Sequence, residues 1–264
     1  MEFLLEKTYE IKSVLEAREN KRDFTTIAQV VSKTVQANVF LVGRRGKILS
    51  YHLLEEYPCG KMPEVVSFSQ RFPESYNQKL LSAVETQANT INLGESCFFS
   101  SIECPLEERK VTIIPVYGGG ERLATMVVIR NTDNLSEEEI VLAEYGALVV
   151  GMEIMLLISE RTETVTRKRA TVQIALSTLS FSELRAAEHI FNELGGLEGL
   201  VVASRIADRV GITRSVIVNA LRKLESASVI QSKSLGMKGT YIRILNENLL
   251  DELKKMGWQQ ETTP

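Results

Sequence analysis

Apolar residues recur at helical spacing through Phe3, Leu4, Leu5, Tyr9, Ile11, Val14 and Leu15. The same pattern returns from Phe24 to Val35 after a polar break at Glu19 to Asp23, so two opening helices are predicted. Two β-rich runs follow, Asn38 to Val42 and Lys47 to Leu53, and Gly43-Arg44-Arg45-Gly46 supplies the turn of a hairpin. Val111 to Tyr117 and Leu123 to Arg130 form a second pair around Gly118-Gly119-Gly120. Between the hairpins, Glu55 to Lys110 contains Pro58, Pro63, Pro73 and Pro105 and only short apolar runs. It is too long for an idle connection and is expected to hold short helices and binding loops.

Ser136 followed by Glu139 is a capping-box pattern, and the helix it opens is predicted from Glu137 through Ile158 toward the polar stretch Glu160 to Arg169. Its apolar positions are too dense for one face of a monomeric surface helix, so part of it is expected to pack against another subunit as well as its own sheet. Thr171 to Leu179 then begins the C-terminal part. Ser182 is placed to cap a helix from Glu183 to Leu194 that ends at Gly195-Gly196. Val229 to Lys233 and Thr240 to Leu245 read as strands around Leu235-Gly236-Met237-Lys238-Gly239, and helices followed by such a hairpin make a winged helix.

Ala203 to Arg222, ASRIADRVGITRSVIVNALR, has the spacing of a helix-turn-helix. That motif needs a small residue where two helices touch, a residue tolerant of positive φ in the turn, and a branched apolar residue that locks the second helix. Ala207, Gly211 and Ile217 fill these roles. Thr213 is placed to cap the second helix, and Val216, Ile217, Ala220, Leu221 and Leu224 form its inward stripe. An ordinary helical hairpin would supply the same stripe, but it does not call for the cationic outer face. The donors expected on phosphates and base edges belong to Ala203, Ser204, Arg205, Thr213, Arg214, Ser215, Asn219, Arg222, Lys223 and, on the hairpin, Lys238.

With 264 residues, 44% of them hydrophobic, the chain can build two ordinary domains. A formal net charge of −3 is unusual for a nucleic-acid binder, yet attraction depends on where charges sit rather than on their sum. Arg205, Arg209, Arg214, Arg222, Lys223, Lys233, Lys238 and Arg243 concentrate positive charge late in the sequence; a merely solvated face is the alternative. Cys59, Cys97 and Cys104 are odd in number and form no CxxC pair, so a reducing cytoplasm is expected rather than a disulfide framework or a zinc site. The opening MEFLLEKTYEIKSVL does not read as a signal peptide. The most apolar stretch, Tyr145 to Ile158, contains Glu153 and falls short of the roughly 18 uninterrupted apolar residues of a membrane span.

The segments IADRVGITRSVIVNALRKLESASVI and SLGMKGTY, within Glu198 to Tyr241, resemble the DNA-binding domain of the CodY family of bacterial transcriptional repressors. VGRRGKIL at Val42 to Leu49, GGGERL at Gly118 to Leu123 and LAEYGALVVGMEI at Leu142 to Ile154 resemble that family's N-terminal half, so the resemblance runs over nearly the whole chain. It implies an α+β chain with a GAF-like sensor domain over residues 1–155, a linker helix over 156–180 and a winged helix-turn-helix over 181–264. It further implies a cytoplasmic global repressor of stationary-phase and amino-acid metabolism genes. Such a repressor binds AT-rich inverted repeats of double-stranded DNA as a homodimer and answers to isoleucine, leucine, valine and, as a second effector, GTP. No cofactor is expected.

The resemblance places Ser215 near the start of the recognition helix. A phosphate there would face DNA phosphates and block binding, while a simple backbone contact by the hydroxyl is the alternative. The ligand site matches the family less well. Lys61-Met62 stand where the family has arginine and methionine; lysine keeps the charge for an α-carboxylate but loses the bidentate fork. Phe72-Pro73 match an aromatic-proline pair that packs on a branched side chain, and Phe98-Phe99-Ser100-Ser101 replace a Phe-Pro-Val-Glu segment. The candidate ligand residues are therefore Lys61, Met62, Phe72, Pro73, Phe99, Ser100 and Ser101. Lys61 in solvent and Met62 and Phe72 in core packing are the alternatives.

Gly118-Gly119-Gly120 is followed by no Walker Lys-Ser or Lys-Thr and is explained by a hairpin turn, so GTP rests on the resemblance alone. His52 and His189 are too isolated for a metal site, and no catalytic constellation stands out. The chain is read as a regulator rather than an enzyme. A nucleotide-turning signalling domain and a constitutive or differently liganded DNA-binding regulator with a diverged pocket are the competing readings.

Overall fold

The computed structural model describes residues 2–16, 24–54, 70–91, 109–130 and 133–258. The chain divides into two compact units, Met1–Ile158 and Ser159–Pro264.

The first unit opens with α1 (Glu2–Glu16) and α2 (Phe24–Thr34), continues through β1 (Asn38–Gly43), β2 (Ile48–His52), α3 (Glu74–Ser82), β3 (Gln87–Ile91), β4 (Lys110–Gly118) and β5 (Glu121–Arg130), and enters α4 (Glu137–Ser177). Its strands form one antiparallel sheet in the order β2-β1-β5-β4-β3. β1 has neighbours on both edges and helices or loops on both faces, which is why Val39 to Val42 read as an unbroken apolar run. Val39 and Leu41 join Ile11, Ile27, Val31, Met126, Leu142 and Val150 on the face covered by α1, α2 and α4. Phe40 and Val42 point the other way, onto Phe72, Tyr76, Leu80 and Val127. Each fully buried side chain of this size contributes about 1.5–3 kcal/mol of transfer free energy.

The expected capping box opens α4: the Ser136 amide donates to Glu139 Oε2 at 2.8 Å and the Glu139 amide to Ser136 Oγ at 3.2 Å. Close approach also shapes this helix. A Cβ at Gly151 would lie 2.6 Å from the Tyr117 carbonyl oxygen, so only glycine lets α4 lie this near β4. By length and composition alone α4 is apolar enough to cross a membrane, a property it shares with the core helices of soluble proteins. Much of that apolarity is spent on the sheet, with 44% of its apolar 18-residue window buried inside the chain.

In the second unit, the end of α4 is followed by α5 (Phe181–Leu194), β6 (Glu198–Val201), α6 (Ala203–Val210), α7 (Arg214–Ser226), β7 (Ile230–Ser234), a 3-10 turn at Gly236–Lys238, β8 (Thr240–Ile244) and α8 (Asn248–Trp258). Val172, Ala175 and Leu176 of α4 share a core with Ile190, Phe191, Ile206, Ile217, Leu221, Leu224 and Leu253. The strands order as β6-β8-β7, all antiparallel, and β7 and β8 form the wing.

Ser182 does not cap α5. The cap is Ser180, whose hydroxyl accepts from the Glu183 amide while its own amide donates to Glu183 Oε2 at 2.7 Å. A serine three residues before glutamate closes this reciprocal pair, whereas Ser182 stands one residue before it, inside the first turn. The expected short helix between the hairpins is α3, but the same stretch also contributes the edge strand β3, and β6 and α8 had no counterpart in the sequence reading.

Candidate functional site

α6 and α7 meet as the spacing predicts. Ile206 and Ala207 are buried under α7, Gly211 takes φ +69° in the turn, and Ile217, Ala220, Leu221 and Leu224 fill the core side of α7. An L residue with a side chain is strained at that φ, which is why the turn needs glycine although the space around it is open. With the inward stripe fixed, Arg214, Ser215, Asn219 and Arg222 are all left exposed. Ser204 and Arg205 are exposed on α6, where Ala203 is half-buried, and Lys238 is exposed in the wing turn.

Charge is not equally free across this surface. Arg209 pairs with Glu193 at 2.7 Å and Arg243 with Glu198 at 3.4 Å. No ion pair ties Arg205, Arg214, Arg222, Lys233 or Lys238 to any described residue. Lys223, expected among the DNA-facing donors, is exposed and also has a task within the domain. Its ammonium donates to the Thr178 carbonyl at 2.9 Å and to Glu183 Oε2 at 2.6 Å, fastening α7 to the start of α5. The Lys223 hydrogen bond, followed by that of the Ser180 amide, holds the Glu183 carboxyl below its ordinary range. Thr213 occupies the N-cap position of α7 as expected, but its side chain does not bond the helix amides. Instead its hydroxyl lies 2.8 Å from that of Ser215, which corrects the capping role.

In the sensor half, Phe72 is buried and packs edge-on to Tyr76 at 5.2 Å between ring centroids, with Phe40 at 5.9 Å. Pro73 sits at the N-cap of α3. Lys61, Met62, Phe99, Ser100 and Ser101 lie outside the described residues. Two polar side chains that the sequence reading passed over organise the surroundings of α3 and β3. Arg122 donates to the Ala83 carbonyl at 2.6 Å and to the Leu80 carbonyl at 3.1 Å, closing the end of α3. Asn89, at φ +53°, exchanges hydrogen bonds with Leu135 just ahead of α4, accepting from its amide at 2.7 Å and donating to its carbonyl at 2.9 Å. Arg122 stands within the GGGERL motif, but its partners, like those of Asn89, lie far along the chain, so only tertiary structure reveals what either side chain does.

A separate cleft of about 570 Å³ runs along β2, between Thr25 and Gln70, with Ser50 and His52 in its lining. Burial, and then the charge of Lys33, hold the His52 imidazole below its ordinary range. Ser32 Oγ donates to the Ala37 carbonyl, so it accepts from His52 Nδ1–H at 3.0 Å. Among the described residues no group of His, Cys, Asp and Glu could hold a metal ion.

α4 keeps one apolar seam uncovered. Val141, Leu148 and Met155 recur every seven residues with Met152 between them, at 56%, 56%, 39% and 47% exposure. That period suits a second helix.

Comparison with known proteins then connects these features. Residues 3–178 match the family description "CodY GAF-like domain" and residues 197–257 match "CodY helix-turn-helix domain". The global transcriptional regulator CodY of Clostridium perfringens is 49% identical over 257 residues, covering 97% of this chain and 100% of its own. That of Clostridium kluyveri is 48% identical over the same shares. The solved cofactor binding GAF domain of the nutrient sensor CodY from Clostridium difficile superposes with a TM-score of 0.41 at 27% identity, over 57% of this chain and 97% of that one, a fit too loose to carry weight. On the strength of both domain matches and of near half-identity along full-length relatives, the chain belongs to the CodY family of global transcriptional regulators, with a GAF-like domain, the long helix α4 and a C-terminal helix-turn-helix DNA-binding domain.

Proposed function

We propose that the protein is a cytoplasmic, homodimeric repressor of stationary-phase and amino-acid metabolism genes. Isoleucine, leucine or valine, with GTP as a second effector, raises its affinity for AT-rich inverted repeats in double-stranded DNA. The observation that carries the reading is the outer face of α7, where Arg214 and Arg222 stand exposed, without an ion pair among the described residues, beside Ser215 and Asn219. Ala203, Ser204, Arg205 and Thr213 extend that face along the backbone, and Lys238 reaches from the wing. Lys223 spends two of its three ammonium donors on Thr178 and Glu183 and keeps the third, on an exposed side chain, for a phosphate at the edge of the contact set. The seam on α4 supports the dimer, which places two recognition helices on successive major grooves roughly 34 Å apart or a multiple of it.

For the effector, Lys61 would take the α-carboxylate, Met62, Phe72, Pro73 and Phe99 the apolar side chain, and Ser100 and Ser101 polar contacts. Ligand must bind the DNA-competent arrangement more tightly than the other, since equal affinity shifts no equilibrium. Lysine at 61 and the Phe98 to Ser101 segment favour a second reading, a regulator whose pocket takes a different small molecule or none. Footprinting on promoter DNA with and without millimolar branched-chain amino acids and GTP tests both readings. Protection that strengthens with the amino acids supports the first; protection indifferent to every effector supports the second.

A further inference from the structure

Val218 breaks the chemistry of the recognition face. It lies on α7 one turn after Arg214 and one turn before Arg222, between the two on the helix face and beside Ser215. Its neighbours Ile217, Ala220 and Leu221 are buried, yet Val218 is 38% exposed. A branched apolar side chain at this position is left out of the buried core of its own domain and keeps over a third of its surface open. As a β-branched residue in mid-helix it also holds one χ1 rotamer, so its two methyl groups present a fixed surface.

Of the groups that distinguish base pairs in the major groove, the protruding apolar one is the C5 methyl group of thymine. A rigid apolar surface flanked by cationic and amide side chains therefore has one partner in that groove. Resting on the proposal that α7 enters the major groove, we infer that Val218 is a specificity-determining residue that packs against a thymine methyl group. Arg214 and Arg222 then supply phosphate or guanine contacts on either side, and Val218 selects A·T pairs in the middle of each half-site without making a hydrogen bond.

The test uses the full-length protein and a duplex it selects from a random pool. Each thymine of that duplex is replaced singly by deoxyuridine, which removes only the C5 methyl. At one or two thymines per half-site the wild type should lose about fourfold in affinity at fixed salt, the worth of one buried methyl. Val218→Ala should bind thymine and uracil duplexes alike at those positions while keeping wild-type affinity for random DNA. The substitution raises helix propensity at an exposed site, so folding is not at risk. The inference is overturned if no thymine replacement weakens wild-type binding, or if Val218→Ala retains the full loss. Failure of the protein to select any sequence removes the groove reading and this inference together, an outcome distinct from selection without methyl dependence.

Discussion

Arg222 and Lys223 are adjacent on α7, and the fold gives them opposite work. Arg222 is exposed without an ion pair among the described residues, whereas the Lys223 ammonium bridges Thr178 and Glu183 within the domain. Arg222→Ala should lower duplex affinity and leave stability within about 0.5 kcal/mol of wild type, as surface substitutions do. Lys223→Ala should cost roughly 1–2 kcal/mol in a denaturation titration, because it strips a charge-assisted hydrogen bond from a buried carboxylate. Finding the two effects exchanged would mean that the outer face is misplaced. Ser215 belongs with Arg222. Its hydroxyl, beside that of Thr213 at the start of α7, lies where a phosphate would meet the DNA backbone. Ser215→Asp should therefore abolish operator binding at fixed salt, and unchanged affinity would remove the switch.

α8 shows how an element outside the motif holds the reading head in place. Its Glu252 accepts from Arg169 Nε at 2.6 Å, from Gln173 at 2.8 Å and from Lys255 at 2.9 Å, and Gln173 and Arg169 belong to α4. These bonds, Gln173 first, pull the carboxyl from 4.5 to about 2. A depressed carboxylate stabilises the fold fully above its unfolded pKa, and the gain is lost as pH falls through the folded value. Glu252→Gln should thus destabilise the protein by roughly 1 kcal/mol at neutral pH, discounted for solvent screening, with the difference closing between pH 4.5 and about 2. A difference that persists unchanged at the acid end would assign the effect to packing. The apolar seam of α4 is tested at the same level: Val141→Glu with Leu148→Glu should turn a sedimenting dimer into monomer, and an unchanged sedimentation coefficient would move the interface elsewhere. The sequence made α4 and α7 readable because their periodicity, caps and turn glycine act locally. It left β3, β6 and α8 unread because short strands and a terminal helix draw their stability from partners far along the chain: Gln87 opposite Ile113, Glu198 opposite Arg243, Glu252 opposite Arg169. For α5 the local signal is Glu183 three residues after Ser180, which marks Ser180 rather than Ser182 as the cap.

Taken whole, the chain joins a sensor sheet and a winged helix through one helix that contributes to both cores, Leu142 and Val150 in the first and Val172 and Leu176 in the second. Between these anchors every residue from 159 to 170 is exposed. A net charge of −3 overall is compatible with DNA binding because attraction depends on where charges sit, and α6, α7 and the wing expose Arg205, Arg214, Arg222, Lys233 and Lys238. Binding should accordingly have two separable components, a salt-dependent attraction to any duplex and a preference for one sequence that survives at constant salt. The decisive measurement is the affinity of the full-length protein for a selected operator and for random duplex of equal length, titrated side by side across ionic strength. Tighter operator binding by at least about a thousandfold, with both affinities falling as salt rises, is the expected result. Equal affinity for the two duplexes at every salt concentration would contradict it.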